Sequence, residues 1–187
     1  ITIPAGEHLL DAPLRITAHG TRVSGDGILV QRTPSAPAIV IENVRGVTVR
    51  GITVTRAEGL EEATNSGILV LDAAHVTLDD VRVIGNKARD AAIQIRDSEH
   101  VTVRDCLIRD YKRIAIDDRT DSELYGYAFR CIDGTGILAN HCTHLAIESN
   151  RVIEESLIPT QELKDEFDLG RVVPGRNPDA KPGELGK

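Results

Sequence analysis

The sequence predicts an all-β parallel solenoid, and three observations carry that expectation. Short alternating strands recur with a period near 24 residues. The apolar residues are aliphatic, with two Phe, three Tyr, no Trp and no Met among 187 residues. No repeated segment keeps the 3.6-residue apolar spacing over the roughly ten residues that a helical repeat requires.

The repeat is legible residue by residue. Val47-Thr48-Val49-Arg50-Gly51-Ile52-Thr53-Val54 aligns with Val76-Thr77-Leu78-Asp79-Asp80-Val81-Arg82-Val83. Val101-Thr102-Val103-Arg104-Asp105-Cys106-Leu107-Ile108 and Leu145-Ala146-Ile147-Glu148-Ser149-Asn150-Arg151-Val152 continue the series. Each reads as a short strand, a tight polar corner and a second strand. A further strand ends six residues before each: Ile39-Val40-Ile41, Ile68-Leu69-Val70, Ile93-Gln94-Ile95 and Ile137-Leu138-Ala139. Ile114-Ala115-Ile116 fits the same slot and predicts an extra coil. The last residues of this strand, 41, 70, 95, 116 and 139, are spaced by 29, 25, 21 and 23.

Three short strands per repeat cannot bury their own apolar face. Stacking coils about 4.8 Å apart does so. The inward columns are then Ile41, Val70, Ile95, Ile116 and Val47, Val76, Val101, Leu145. Like stacked on like explains an aliphatic core. The Thr48, Thr77, Thr102 column faces outward, where β-branched residues suit a strand surface. The consensus of leucine-rich repeats is missing. About six to seven coils are expected over residues 1–155, with an insertion at 118–135. Residues 156–187 break the pattern and hold four of the eight prolines. Gln161–Asp168 predicts a short helix covering the last coil, because open strand edges invite aggregation. The rest reads as an extended tail.

These coils resemble those of right-handed parallel β-helix proteins of the pectin-lyase-like superfamily. Ile1-Thr2-Ile3-Pro4-Ala5-Gly6-Glu7-His8 and Val23-Ser24-Gly25-Asp26-Gly27 resemble that superfamily's first coils. The right-handed sense comes from the resemblance and agrees with the bias of parallel β connections. The resemblance implies a polysaccharide or oligosaccharide partner. Its members include polysaccharide lyases, glycoside hydrolases, epimerases and noncatalytic adhesins, and a shared fold does not choose among them. Of the four polygalacturonase-like motifs, Asp117-Asp118 matches Asp-Asp and Arg113-Ile114 loosely resembles Arg-Ile-Lys. Asn-Thr-Asp and Gly-His-Gly are absent, as are the pectate-lyase-like motifs and the epimerase-like Asp-Pro-His-Asp.

The formal charge of −7 excludes general nucleic-acid binding, which needs a basic face. No apolar run is long enough for a membrane-spanning helix. No signal peptide is visible, and a secreted or cell-surface location is expected. Cys106, Cys131 and Cys142 include no C-x-x-C pair. One Cys131–Cys142 bridge is conceivable beside the simpler reading of buried free thiols. The missing Met and the start on a strand suggest a piece of a longer chain. The sequence is silent on oligomeric state.

Candidate chemistry sits just beyond the first strand of each coil. One position holds Glu42, Leu71, Arg96, Asp117 and Asn140. The next holds Asn43, Asp72, Asp97, Asp118 and His141. Asp72, Asp97 and Asp118 should therefore stack, and like charges that close can supply an acid and a base. Neighbouring coils would give the roughly 5 Å carboxylate spacing of retaining glycosidases, and alternate coils the long end of the inverting range. The competing readings are Asp as a turn former and Ca2+ held by stacked carboxylates; no cofactor is required.

Residues 109–133, which run into the insertion, hold four of the five aromatics, Tyr111, Tyr125, Tyr127 and Phe129, close to Lys112, Arg113, Arg119 and Arg130. Rings pack on sugar faces, and charges bind hydroxyls or uronates. Lys112, Arg119, Tyr125, Tyr127 and Arg130 are the candidate substrate-binding residues. The competing reading is a loop whose aromatics only pack it down. A second loop, Ala57–Ser66, carries Glu58, Glu61 and Glu62 and reads as solvated. His141 and His144 flank Cys142, but Cys142 aligns with Val44, Ala73 and Ser98 at a turn, so no metal ligands are assigned.

The expected function is a polysaccharide lyase or glycoside hydrolase acting on an acidic polysaccharide. The alternative is a noncatalytic carbohydrate-binding or cell-surface β-helix. In a lyase, Arg96 or Arg113 would neutralise a uronate, and Lys112, Tyr125 or His141 would take the proton. In a hydrolase, two of Asp97, Asp117 and Asp118 would serve as acid and as base or nucleophile.

Overall fold

The computed structural model describes residues 1–116, 130–158, 160–167 and 169. The chain forms two units, residues 1–112 with 134–156 and residues 113–133 with 157–187.

The first unit is a parallel solenoid of three sheets. The first sheet stacks Thr2–Ile3, Arg22–Gly25, Thr48–Arg50, Ala74–Asp79, Glu99–Arg104 and Ala146–Glu148 in that order. The second stacks Glu7–Leu10, Ile28–Gln31, Thr53–Arg56, Arg82–Ile84, Leu107–Arg109 and Arg151–Ile153. The third stacks Leu14–Ile16, Ile39–Glu42, Ile68–Leu71, Ile93–Arg96 and Ile137–Asn140. These strands make five complete coils and an incomplete sixth, slightly fewer than the repeat suggests.

The register is the one the alignment requires. Val70 lies beside Ile41 and Ile95. Thr77 lies between Thr48 and Thr102. Ile41, Val70, Ile95, Val47, Val76 and Val101 are all fully buried. A one-residue slip would turn each of these side chains to the opposite face, so the aliphatic columns fix the register. The outer face of the first sheet adds a charge ladder. Asp79 sits between Arg50 at 3.8 Å and Arg104 at 3.0 Å.

The corners explain why Asp, Asn, His and Gly recur at fixed positions. Between the third and first sheets the chain turns in four residues: Asn43–Gly46, Asp72–His75, Asp97–His100 and His141–His144. The first and fourth residues of every turn have φ between 48° and 73°. That left-handed region excludes most side chains and favours Gly, Asn, Asp and His. The second residue points inward, and Val44, Ala73 and Ser98 are buried there. Ser98 Oγ accepts from the Ala73 N–H at 3.1 Å and donates to the Arg96 carbonyl at 2.6 Å. The corner between the first and second sheets repeats the device with Gly51, Asp80, Asp105 and Ser149, all at positive φ. Ile52, Val81 and Cys106 follow them into the core. On the last coil, Asn150 bridges to the coil before it, accepting from the Cys106 N–H and donating to the Val103 carbonyl.

The third corner is looser and is tied by one buried cation. Arg56 is 4% exposed. Its guanidinium donates to Asn86 Oδ1 and to the carbonyls of Thr33, Ala36, Asn65 and Ser66 at 2.7–3.2 Å. Burial pushes its pKa down to about 10, so it stays charged at neutral pH. The acidic loop 57–66 lies at this corner, and its Glu62–Ala63 pairs with Lys87–Ala88.

One expectation is corrected. Ile114-Ala115-Ile116 is not a rung: Arg113–Ile116 pairs antiparallel with Arg130–Asp133 in the second unit. Ile93–Arg96 instead pairs directly with Ile137–Asn140. The strand pattern is the same, but its partner is the returning arm of its own excursion. The departure therefore begins at Arg113 rather than at 118. Arg113 donates to Asp133 at 2.9 Å within that ribbon. The second unit also holds the helix Gln161–Glu166, close to the expected position. Thr160 caps it by accepting from the Leu163 N–H, and none of its residues is buried.

Candidate functional site

The four-residue corners stack into a groove of about 580 Å³ along the coil axis. The left-handed residues Asn43, Asp72, Asp97 and His141 line one side through four successive coils. Arg45, Ala74, Glu99 and Thr143, two positions further on, line the other, and His19 lies at one end. The small Ala74 deepens the middle.

Asp97 and His141 meet in this groove, with Nδ1 of His141 3.3 Å from Oδ1 of Asp97. Their coils are adjacent because Arg96 pairs with Asn140. Asp72 is one coil away on the other side, its N–H bonded to the Arg96 carbonyl at 3.2 Å. Backbones on adjacent coils are about 4.8 Å apart, so Asp72, Asp97 and His141 form a continuous polar file. Among the described residues no ion-pair partner is seen for Asp72, Glu99 or the Arg45 side chain.

The place beside Asp97 that the alignment assigns to Asp118 is held by His141. Asp117, Asp118, Arg119, Tyr125 and Tyr127 lie outside the described residues. Arg130 is described only as a strand residue. Arg96 is exposed at the strand end before Asp97. Arg113 faces Asp133 in the second unit. Lys112 is half-buried, and its N–H is held by Glu154 at 2.8 Å. Arg45, Glu99, Thr143 and His19 were not singled out from sequence. The signal was available: three of them share the third position of the aligned corner.

None of Cys106, Cys131 and Cys142 is in a disulfide. Among the described residues no three His, Cys, Asp or Glu side chains gather as metal ligands would. None of the described helices is long and apolar enough to cross a membrane.

No curated protein matches the chain. A solved structure, a provisionally assigned glycosyl hydrolase from Parabacteroides merdae ATCC 43184, aligns with a TM-score of 0.47 and 13% identity. That alignment covers 86% of this chain and 81% of the other. The family model for the right-handed beta helix region matches residues 37–157. This is well over half of the chain and spans most of the coils whose register is described above. The parallel three-sheet solenoid and that match agree, and they fit the pectin-lyase-like superfamily: the chain belongs to the right-handed β-helix family.

Proposed function

We propose that this β-helix is carbohydrate-active and seats a glycan along the corner groove, with glycoside hydrolysis as its reaction. The Asp97–His141 contact on the groove wall, beside Asp72 one coil away, carries the reading. Carboxylates on adjacent coils suit the roughly 5 Å separation at which one carboxyl attacks the anomeric carbon and the other protonates the leaving oxygen. Asp97, positioned by His141, is the nucleophile, and Asp72 is the acid and then the base. Asp72, Asp97 and Glu99 outnumber Arg45 in the groove, which disfavours a polyuronate and with it the lyase branch.

The test is digestion of neutral and acidic polysaccharides. Hydrolysis gives new reducing ends without the ultraviolet absorbance of unsaturated ends, and Asp97→Asn abolishes it. Unsaturated products would replace this reading with the lyase.

A second reading has its own observation. Asn43, Asp72, Asp97 and His141 all sit at positive φ, where the turn alone selects these residue types. A noncatalytic glycan-binding β-helix follows if the groove binds oligosaccharide without cleaving it and Asp97→Asn leaves that binding unchanged.

A further inference from the structure

The fourth corner position carries a second file that plays no part in the groove. Gly20 and Gly46 hold it on the early coils, and His75, His100 and His144 on the later ones, all at positive φ. The turn admits histidine but does not require it. The equivalent left-handed columns use Asn, Asp, Ser and Gly, with His141 the single histidine among them. Here the imidazole appears on three consecutive coils. The rings lie face to face, 4.6 Å apart for His75–His100 and 4.3 Å for His100–His144, within 10° of parallel. All three are exposed.

We infer that this histidine ladder is a binding site for one borderline transition-metal cation, Cu2+ ahead of Ni2+ and Zn2+. Imidazole nitrogen is the donor such ions prefer, and their order of affinity peaks at Cu2+. The rings are parallel, so the ion cannot collect all three: His75 and His144 are two coils apart, about 9.6 Å. Two adjacent rings suffice. Metal–nitrogen bonds of about 2.0–2.1 Å at a right angle need nitrogens roughly 3 Å apart. Side-chain rotation of two exposed rings, with no movement of the backbone, closes the gap from the observed stacking. Water completes a tetragonal shell, the arrangement of N and O donors that suits Cu2+. His100 belongs to both pairs, His75–His100 and His100–His144, which therefore exclude one another.

That sharing sets the test. Cu2+ is titrated into the whole chain, with calorimetry for stoichiometry and electron paramagnetic resonance for the number of nitrogen donors. One Cu2+ with two nitrogen donors is expected. His75→Asn or His144→Asn, each leaving one pair intact, weakens binding by only about twofold. His100→Asn destroys both pairs and weakens it by at least about tenfold. Asn accepts the left-handed backbone, so these variants keep the turn. The double variant His75→Asn/His144→Asn leaves His100 isolated and repeats the His100→Asn loss if that variant fails to fold. His141→Asn, in the groove, leaves binding unchanged. No binding, one-nitrogen binding, or binding indifferent to His100→Asn overturns the inference.

Discussion

Replacing Arg56 with Met tests whether one buried cation holds the loose corner together. The guanidinium has five N–H donors and makes five bonds, to Asn86 Oδ1 and the carbonyls of Thr33, Ala36, Asn65 and Ser66. Arg56→Met keeps much of the apolar stem and removes every donor. An unsatisfied buried acceptor costs about 1–3 kcal/mol, but the losses do not add, because an opened loop admits water to some of the carbonyls. A net loss of about 3–5 kcal/mol is expected, a large share of the roughly 5–15 kcal/mol that stabilises a typical domain. At roughly 2–4 °C per kcal/mol for a chain of this size, the melting midpoint falls by about 10 °C. Arg56→Lys keeps the charge but has three donors in place of a planar fork, and should lie between. Chemical unfolding measures the energies, and amide exchange at Thr33–Ala36 and Asn65–Ser66 locates the opening. A loss under about 1 kcal/mol for Arg56→Met, or faster exchange spread evenly over the solenoid, would refute the argument.

The other predictions are briefer. Asp105 has φ of 54°, so Asp105→Gly is tolerated while Asp105→Val costs about 1–2 kcal/mol in chemical unfolding. Burial pushes the Cys106 thiol from 9.0 up to about 11. The unfolded chain therefore loses this proton first, and stability from this group is complete below pH 9 and falls as pH rises toward 11. A Cys106→Ala background should lose that component of the pH profile. In the native protein Cys106 also resists alkylation at pH 8, whereas mass spectrometry should find the half-exposed Cys142 labelled. Ile95 is fully buried, and Ile95→Ala should cost about 2–5 kcal/mol in the same unfolding assay.

The coils were legible because a solenoid repeats its own side chains. Ile41, Val70 and Ile95 predict one another, and in-register stacking is the arrangement that buries all three. The file Asn43, Asp72, Asp97 and His141 was also visible, but its left-handed backbone was not: the residue types fit both a turn and an acid–base site. Ile114-Ala115-Ile116 shows where local pattern runs out. Alternation records that a strand has one apolar face, not which strand lies beside it or in which direction. Arg56 was invisible for a related reason, since its five acceptors come from loops with no periodicity. The histidine file could have been read from Ala74-His75-Val76, Glu99-His100-Val101 and Thr143-His144-Leu145, which align without gaps.

The detour between Lys112 and Gly134 bears on how such molecules gain parts. Its two ends lie close together: a side chain at Gly134, where φ is 103°, would sit 2.7 Å from the Tyr111 carbonyl. The coils on either side pair as though nothing intervened, with Ile93 beside Ile137. Where a detour leaves and returns at one point, its length barely matters to the stack. Doubling a flexible loop costs only about 0.6 kcal/mol, less than one lost methylene in the core. A β-helix can thus be lengthened at a corner without renegotiating its register, as a stitched hem takes a pleat. New surface can accumulate at the neck formed by Tyr111 and Gly134 while the aliphatic columns are inherited unchanged.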